Sequence, residues 1–212
     1  MGSMPATGGS TELGQRSDAE LVAGSTDPAA GWAVLFDRHA AALHRYLARR
    51  VGPVIAEDLV AQTFLVAFER RGRYDPSYTH AQGWLYGIAT NLLRRYHRDE
   101  ARQLRMLART GTDPVTTACH SDGVAGRVDA AVLSRRVAGL VAELPTGERD
   151  VLLLYAWAGL GLEEIGRALE VPAGTVRSRL YRARKRLRPA LGTSDCVDQG
   201  WGQPSEGSAN HG

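Results

Sequence analysis

The stretch PAGTVRSRLYRARKRLRPAL, residues 172–191, concentrates seven basic residues and contains no acidic residue. Arginine and lysine bind phosphate groups, and arginine also forms bidentate hydrogen bonds with base edges. A helix face that is merely solvated usually mixes charges of both signs, because opposite charges one turn apart stabilise it. The absence of acids in this stretch therefore favours a polyanion such as DNA as its partner.

Helical spacing divides this stretch into an apolar and a polar face. At about 100° per residue, one narrow sector holds the predicted buried stripe: Val176, Leu180, Ala183 and Leu187. The opposite face carries Ser178, Tyr181, Arg182 and Lys185, and the flanks carry Arg177, Arg179, Arg184, Arg186 and Arg188. This arrangement suits a major groove, where polar groups face base edges and flanking charges face phosphates.

A second basic face is predicted in GWLYGIATNLLRRYHRDE, residues 83–100. The predicted inward stripe is Leu85, Ile88, Ala89, Leu92 and Tyr96. The predicted outer face comprises Gly87, Thr90, Asn91, Arg94 and Arg98, with Trp84 and Arg95 near one edge. Two readings stay open here, because Asp99 and Glu100 can pair with neighbouring arginines and Trp84 also suits a core. Two DNA-facing helices would let one protein read two separated DNA elements.

The elements that must position these residues are helices, and no alternating run of β-branched residues is present, so we predict an all-α fold. Ser17 and Glu20 form a capping box that predicts a helix over Asp18–Ala23. Asp27 and Pro28 open the next helix, and Gly52 closes it. A third helix is predicted over 54–70, with Ile55, Leu59, Val66 and Phe68 facing inward, and a fourth over 83–109.

The C-terminal part has the pattern of a helix-turn-helix. A helix over 128–144 stops before Pro145, and Thr146 is the predicted cap of an apolar helix that ends near Gly159. A short helix then places Leu162, Ile165 and Leu169 on one face. Pro172 suits the first turn of the final, basic helix. A helix, a short turn and a basic helix are typical of DNA-binding modules.

Composition divides the chain into two small helical domains, residues 17–109 and 128–191. Residues 1–16 and 192–212 are rich in glycine and serine, which predicts a disordered leader and tail. Residues 110–127 have no periodicity and predict a flexible linker.

Several functional classes find no support in the sequence. The chain has 212 residues and a formal net charge of +3, and its two cysteines, Cys119 and Cys196, stand alone. Isolated thiols fit a reducing cytoplasm, and no apolar run is long enough for membrane insertion. We find no metal-ligand cluster, no glycine-rich phosphate loop and no nucleophile beside a base. We therefore expect no metal, no cofactor and no enzymatic activity.

Three stretches together resemble a bacterial protein family. These are AEDLVAQTFLVAFER, WLYGIATNLLRRYHR and LPTGERDVLLLYAWAGLGLEEIGRALEVPAGTVRSRLYRARKRL. They resemble, in order, the polymerase-docking helix, the minus-ten helix and the minus-thirty-five reader of sigma-70 family sigma factors of the extracytoplasmic-function (ECF) group. The likeness covers residues 30–107 and 128–191. It implies two partners, core RNA polymerase (at its clamp and flap regions) and promoter DNA, and an anti-sigma factor as a third.

The resemblance also implies roles for individual residues. Polymerase-facing positions match Asp58, Gln62 and Phe64. Residues 74–82 match a loop that captures a base flipped from the minus-ten strand. Two readings stay open for Tyr74, Tyr78 and His80, which either stack on bases or simply pack the loop. Asn91 matches a base-reading position and Trp84 a position near the point of strand separation. Arg94, Arg95 and Arg98 of the predicted outer face complete the candidate minus-ten residues. Minus-thirty-five base-facing positions match Ser178, Tyr181 and Arg182, with Lys185 beside them, and DNA-backbone contacts match Arg177, Arg179 and Arg184.

The main alternative is a helix-turn-helix transcription regulator that binds DNA without polymerase. A response regulator would need a receiver domain with strands and clustered acids, which residues 17–109 do not offer. An anti-sigma or adaptor protein would leave the basic final helix unexplained. Run-off transcription with core polymerase separates these classes.

Overall fold

A computed structural model of the chain describes residues 14–24, 28–109 and 128–191. Across these ranges the regular structure is helical, which confirms the predicted all-α class. The linker, the tail, most of the leader, both cysteines and the Asp27 cap lie outside the described residues.

Between residues 17 and 109, the described part of the N-terminal domain contains four helices and one short 3₁₀ turn. The helices are α1 (Asp18–Ala23), α2 (Pro28–Val51), α3 (Pro53–Glu69) and α4 (Gln82–Arg109), and the turn is Arg71–Arg73. The predicted capping box of α1 is present, because Glu20 N donates to Ser17 Oγ and Ser17 N donates to Glu20 Oε2. Gly52 separates α2 from α3 with φ of 81°, a conformation that glycine adopts without strain.

The C-terminal domain has four further helices in the predicted order. These are α5 (Val128–Glu143), α6 (Thr146–Ala158), α7 (Leu162–Ala168) and α8 (Ala173–Leu191). Two details differ from the sequence prediction. Pro145 occupies the N-cap position of α6, so Thr146 is inside the helix and is not its cap. Pro172 precedes α8, whose first residue is Ala173.

Helix α4 lies at the centre of the core. Leu85, Ile88 and Ala89 are buried as predicted, and Leu93 is buried with them. The prediction for α3 is partly wrong. Leu59 is buried, but Phe68 is an exposed residue. The buried side of α3 is Ala56, Leu59, Val60, Thr63, Phe64 and Ala67, because α2 and α4 both pack on it and select a different sector from the one we inferred.

The two helical domains pack directly against each other. Helix α4 contacts α7, and α2 contacts α6. Leu43 and Leu93 of the first domain belong to the same continuous cluster of buried side chains as Leu154 and Ile165 of the second. None of the helices in the described ranges has a stretch both long and apolar enough to cross a membrane.

Candidate nucleic-acid interface

Helix α8 presents the basic face that its sequence predicts. The stripe Val176, Leu180, Ala183 and Leu187 is buried, and α5, α6 and α7 all pack on α8. The residues exposed on the other side are Arg177, Ser178, Tyr181, Arg182, Arg184 and Lys185. Arg179 is only partly exposed, because its guanidinium lies against Gly147 at the start of α6. The candidate minus-thirty-five residues are thus brought together on one surface.

An acidic residue that the sequence prediction missed lies beside this face. Glu148 of α6 forms ion pairs with Arg182 (Nε to Oε1) and Arg186 (Nε to Oε2), both at 3.2 Å. A carboxylate of the protein itself therefore pairs with these two arginines, which the absence of acids within residues 172–191 did not predict. The guanidinium of Arg184 also has a protein partner, the Tyr155 ring, whose centroid is 5.1 Å away. The only sequence signal for Glu148 was its place in the first turn of α6, which also suits a helix N-terminus.

The loop between α3 and α4 exposes two of its three predicted base-stacking residues. Tyr78 and His80 are exposed, whereas Tyr74 is buried and its ring centroid is 5.1 Å from that of Trp84. The Tyr74 hydroxyl donates to the Tyr78 carbonyl, and burial raises the Tyr74 pKa to about 12. Of the two readings left open for Tyr74, the structure supports packing of the loop, because its ring is already packed inside the protein.

A buried carboxylate anchors the end of this loop. Asp18 Oδ2 accepts a hydrogen bond from Ala81 N at 2.9 Å and lies 2.7 Å from His39 Nε2, and Asp18 Oδ1 pairs with Arg38 at 2.9 Å. Burial by itself would raise the Asp18 pKa. The hydrogen bonds from His39, Ala81 and Arg38 outweigh burial and lower the Asp18 pKa to about 2. Asp18 therefore links α1, α2 and the residue preceding α4. Its sequence position predicted only a helix start.

The predicted outer face of α4 is only partly accessible. Asn91, Arg95 and Arg98 are exposed, and Trp84 is partly buried. Gly87 and Thr90 are buried, contrary to the prediction, and Thr90 lies beside Tyr46 of α2. The pairing of Arg95 with Asp99, left open by the sequence, is present at 3.7 Å.

Arg94, a candidate minus-ten residue, is bound by a carboxylate of the other domain. Its Nε donates to Asp150 Oδ2 at 2.7 Å, and Asp150 Oδ1 accepts from Arg50 Nη2 at 2.8 Å. Asp150 is fully buried, and Arg50 also donates to the Tyr46 hydroxyl. Sequence reasoning gave Asp150 no role, because Arg50 lies 100 positions away along the chain.

The candidate polymerase surface on α3 differs from the predicted one at a single residue. Asp58 and Gln62 are exposed as expected. Phe64 is only 8% exposed and packs on the Phe36 ring at a centroid distance of 4.8 Å, so it belongs to the core. The apolar residues that do reach solvent on α2 and α3 are Phe36, Val54, Leu65 and Phe68. Sequence periodicity did not single them out.

A groove continues this exposed surface between α2 and α3. Its lining includes Phe36, Ala40, His44 and Val60, with Glu57 at its α3 edge. Exposed apolar residues grouped beside polar ones mark protein-binding surfaces in soluble proteins. No group of three or more His, Cys, Asp or Glu within the described ranges is placed to hold a metal ion.

Two family models match the chain, one on each domain. The model described as "Sigma-70 region 2" matches residues 35–103, and the one described as "Sigma-70, region 4" matches residues 134–187. Both ranges lie within the predicted domains.

Curated relatives are similar over most of the chain. The RNA polymerase sigma factor CarQ of Myxococcus xanthus is 32% identical over 159 residues, which cover 74% of this chain and 87% of CarQ. The ECF RNA polymerase sigma factor SigL of Mycobacterium tuberculosis is 33% identical over 159 residues, covering 74% of this chain and 86% of SigL.

Solved structures share the fold across both domains. CnrH in complex with the cytosolic domain of CnrY is 25% identical, with a TM-score of 0.56 over 82% of this chain and 94% of that one. The sigma factor RpoE in complex with the anti-sigma factor NepR, from Bartonella quintana, is 22% identical. Its TM-score is 0.58 over 76% of this chain and 96% of that one.

Proposed function

Because the chain belongs to the ECF RNA polymerase sigma factors of the sigma-70 family, we propose that it binds core polymerase and directs promoter-specific initiation. The N-terminal domain reads the minus-ten element and the C-terminal domain reads the minus-thirty-five element. The observation that carries this proposal is the face of α8, where basic and polar side chains are exposed opposite a buried apolar stripe.

On the minus-thirty-five side, the chemistry of α8 fits duplex DNA. Ser178, Tyr181 and Lys185 face outward between flanking arginines, so base edges and phosphates can be contacted at the same time. Arg177 supplies an exposed charge for the DNA backbone. The side chain of Arg182 is more than half exposed, so its guanidinium can contact a phosphate or a base although it also pairs with Glu148.

On the minus-ten side, we assign the unpaired strand to the loop and to the exposed part of α4. Tyr78 and His80 offer rings for base stacking, which is worth about 1–3 kcal/mol per base in single-strand complexes. Asn91 offers an amide that can form two hydrogen bonds with a base edge. These contacts offset the cost of unstacking the duplex, a few kcal/mol per step.

Polymerase binding is assigned to α3. Asp58 and Gln62 provide polar contacts, and Leu65 and Phe68 provide the apolar area that such an interface needs. Phe64 supports this surface from inside the domain. Bond formation belongs to the polymerase, so we assign this chain no catalytic step of its own, and we place its action in the cytoplasm.

An anti-sigma factor is the third proposed partner. The solved relatives CnrH and RpoE were captured with a CnrY domain and with NepR. The exposed apolar residues of α2 and α3 are a surface through which such a protein could compete with polymerase.

The experiment that tests this function is run-off transcription with purified core polymerase. The DNA templates carry the promoters of the genes whose transcripts increase when the chain is overproduced. We expect correct start sites only when the chain is present. The Lys185→Ala variant should reduce the amount of run-off product. The control is Arg136→Ala, which changes an exposed arginine of α5 outside the two candidate DNA surfaces and the candidate polymerase surface, and it should leave the amount of product unchanged. Tight binding to duplex DNA without any run-off product would instead favour a regulator that acts without polymerase.

A further inference from the structure

We propose that Glu148 of α6 is a positioning residue for the minus-thirty-five reader, which holds Arg182 ready for a base contact and weakens phosphate contacts that any sequence could make. This role of Glu148 rests on the proposed function, because it adds a specificity determinant to the same surface. Three features of the contact between α6 and α8 support it: the burial of Glu148, the guanidinium nitrogens that it pairs with, and a row of arginines along this side of α8.

Glu148 is a buried residue that carries a charge. Its side chain is 10% exposed, whereas the side chains of Arg182 and Arg186 are 55% and 59% exposed. A carboxylate that has lost most of its hydration is stable only while cations stay beside it. The two arginines are therefore held at Glu148 by the cost of leaving its charge without a partner, and a phosphate must compete with that cost.

Both ion pairs use Nε, the guanidinium nitrogen closest to the backbone along the side chain. Arg182 Nε lies 3.2 Å from Glu148 Oε1, and Arg186 Nε lies 3.2 Å from Glu148 Oε2. The remaining donors of a guanidinium are on its terminal nitrogens, Nη1 and Nη2. These two nitrogens suit a pair of acceptors on one base edge, such as the O6 and N7 atoms of guanine. Arg182 can thus contact a base without leaving Glu148.

The first turn of α6 faces a row of arginines on α8. Arg179, Arg182 and Arg186 follow one another at spacings of three and four positions, so they lie on one side of the helix. A Cβ atom at Gly147 would be 3.2 Å from the guanidinium carbon of Arg179. Gly147 therefore leaves space for one end of the row, and Glu148 supplies the charge for the other two arginines.

This arrangement favours contacts that depend on the DNA sequence. An arginine side chain loses rotamer freedom when it binds, and a side chain already held by Glu148 has less freedom to lose. A phosphate competes with Glu148 for the same positive charge and is repelled by the carboxylate. A base edge has no net charge and meets no such repulsion. Glu148 thereby acts against phosphate contacts, which carry no sequence information.

A purely structural role for Glu148 makes a different prediction. An acid in the first turn of α6 is favoured by the helix dipole, and its ion pairs also join α6 to α8. Loss of a structural residue would weaken binding to every duplex together. Loss of a positioning residue lowers discrimination between bases and strengthens binding to duplexes of random sequence.

The first experiment measures base discrimination by the chain in complex with core polymerase. Glu148→Gln keeps the shape of the side chain and removes its charge. Run-off templates carry each single base substitution in the minus-thirty-five element, and Arg182→Ala identifies the base pair that Arg182 reads. At that base pair, Glu148→Gln should lower the discrimination at least about fivefold. The same discrimination in Glu148→Gln as in the wild type would overturn the proposal.

The matched control for the change in charge is Glu143→Gln. Glu143 is an exposed glutamate near the end of α5, in the same domain. Its substitution removes the same charge without releasing the arginines of α8, so the discrimination profile should stay that of the wild type. An equal loss of discrimination in both variants would mean that net charge, and not the position of Glu148, sets specificity.

The second experiment measures the affinity of the full chain for a duplex of random sequence, by fluorescence anisotropy at low salt. Glu148→Gln releases two arginines for phosphates, so it should bind at least about threefold more tightly than the wild type, with a steeper dependence of log K on log salt. Glu143→Gln should leave that slope unchanged. Equal or weaker binding by Glu148→Gln would assign Glu148 to the structure of the domain and reject its positioning role.

A double-mutant cycle tests whether Glu148 acts through Arg182. In the Arg182→Ala background, Glu148→Gln should no longer change base discrimination. Its effect should instead add to that of Arg177→Ala, which changes an arginine on the opposite flank of α8. Additive effects of Glu148→Gln and Arg182→Ala would show that Glu148 acts by another route.

The same experiments separate this role from the proposed function. If the wild type gives no run-off product on any template, the proposed function fails. The affinity for random duplex still judges Glu148 in that case, because that measurement needs neither polymerase nor a promoter.

Discussion

The two candidate DNA surfaces differ in what covers them. The surface on α8 faces solvent along its length, whereas the surface on α4 and its preceding loop is partly covered by α6 and α7. Both were inferred from the same signal, a basic face opposite an apolar stripe. Only the α4 surface combines that signal with a glycine, Gly87, at which another helix approaches too closely for a Cβ atom.

The difference teaches that a polar face is not necessarily a free one. The arginines of α8 meet Glu148 of their own domain, and their side chains are more than half exposed although Glu148 itself is buried. Arg94 meets a fully buried carboxylate of the other domain.

The largest expected effect is the loss of unfolding free energy when a buried leucine side chain is removed from either domain. Leu43→Ala and Leu154→Ala each remove a fully buried leucine, one per domain, and should each cost about 2–5 kcal/mol of unfolding free energy. Because the two residues belong to one continuous cluster, urea unfolding should show one shifted transition for both variants. Two transitions, with only one displaced by each change, would mean that the domains fold independently.

The next largest effect is expected when a base contact of the α4 surface is removed. Asn91→Ala should weaken promoter opening by about 1–3 kcal/mol, the range of a bidentate base contact. Promoter opening is measured by the permanganate reactivity of unpaired thymines in the polymerase complex. Binding of the free chain to a minus-thirty-five duplex should not change. A matched loss of duplex binding would show that Asn91 acts on the whole fold and not on the minus-ten strand.

The contribution of Asp18, the buried carboxylate that anchors the loop before α4, to stability depends on pH. The Asp18 pKa of about 2 lies below its ordinary 3.8, so its contribution to stability is complete above about pH 4 and is lost as the pH falls towards 2. The shift corresponds to about 2 kcal/mol at neutral pH. Asp18→Asn should therefore be destabilised at pH 7, and the difference from wild type should shrink below pH 4 in thermal melts. A pH-independent difference would assign the loss to something other than the carboxylate charge.

The smallest effect is expected when one phosphate contact of the α8 surface is removed. Arg177→Ala should weaken duplex binding of the free chain evenly across sequences and reduce the slope of log K against log salt by about one. The same change on the covered side, Arg94→Ala, should leave this slope unaltered. An equal slope change for both variants would show that the minus-ten face is open in the free chain.

Much of the fold could be inferred residue by residue. The Ser17 capping box, the Gly52 break and the apolar stripe of α8 depend on neighbours within one or two helical turns, so local chemistry is enough to locate them. Periodicity assigned Phe68 to the wrong side of α3, because α3 is rich in apolar residues on several faces. The resemblance placed Phe64 on the polymerase-facing surface, whereas its side chain is buried.

By itself the sequence determined the helices, their order, the basic face of α8 and the family to which the chain belongs. The tertiary structure alone decided which faces are covered: that Asp150 binds Arg50 and Arg94, that Arg167 lies over Tyr78, and that Asp18 holds Ala81. The physical reason is the distance along the chain between the interacting residues. Periodicity specifies which residues share a face, whereas the partner that covers the face comes from a distant part of the chain and is selected by packing and charge in three dimensions.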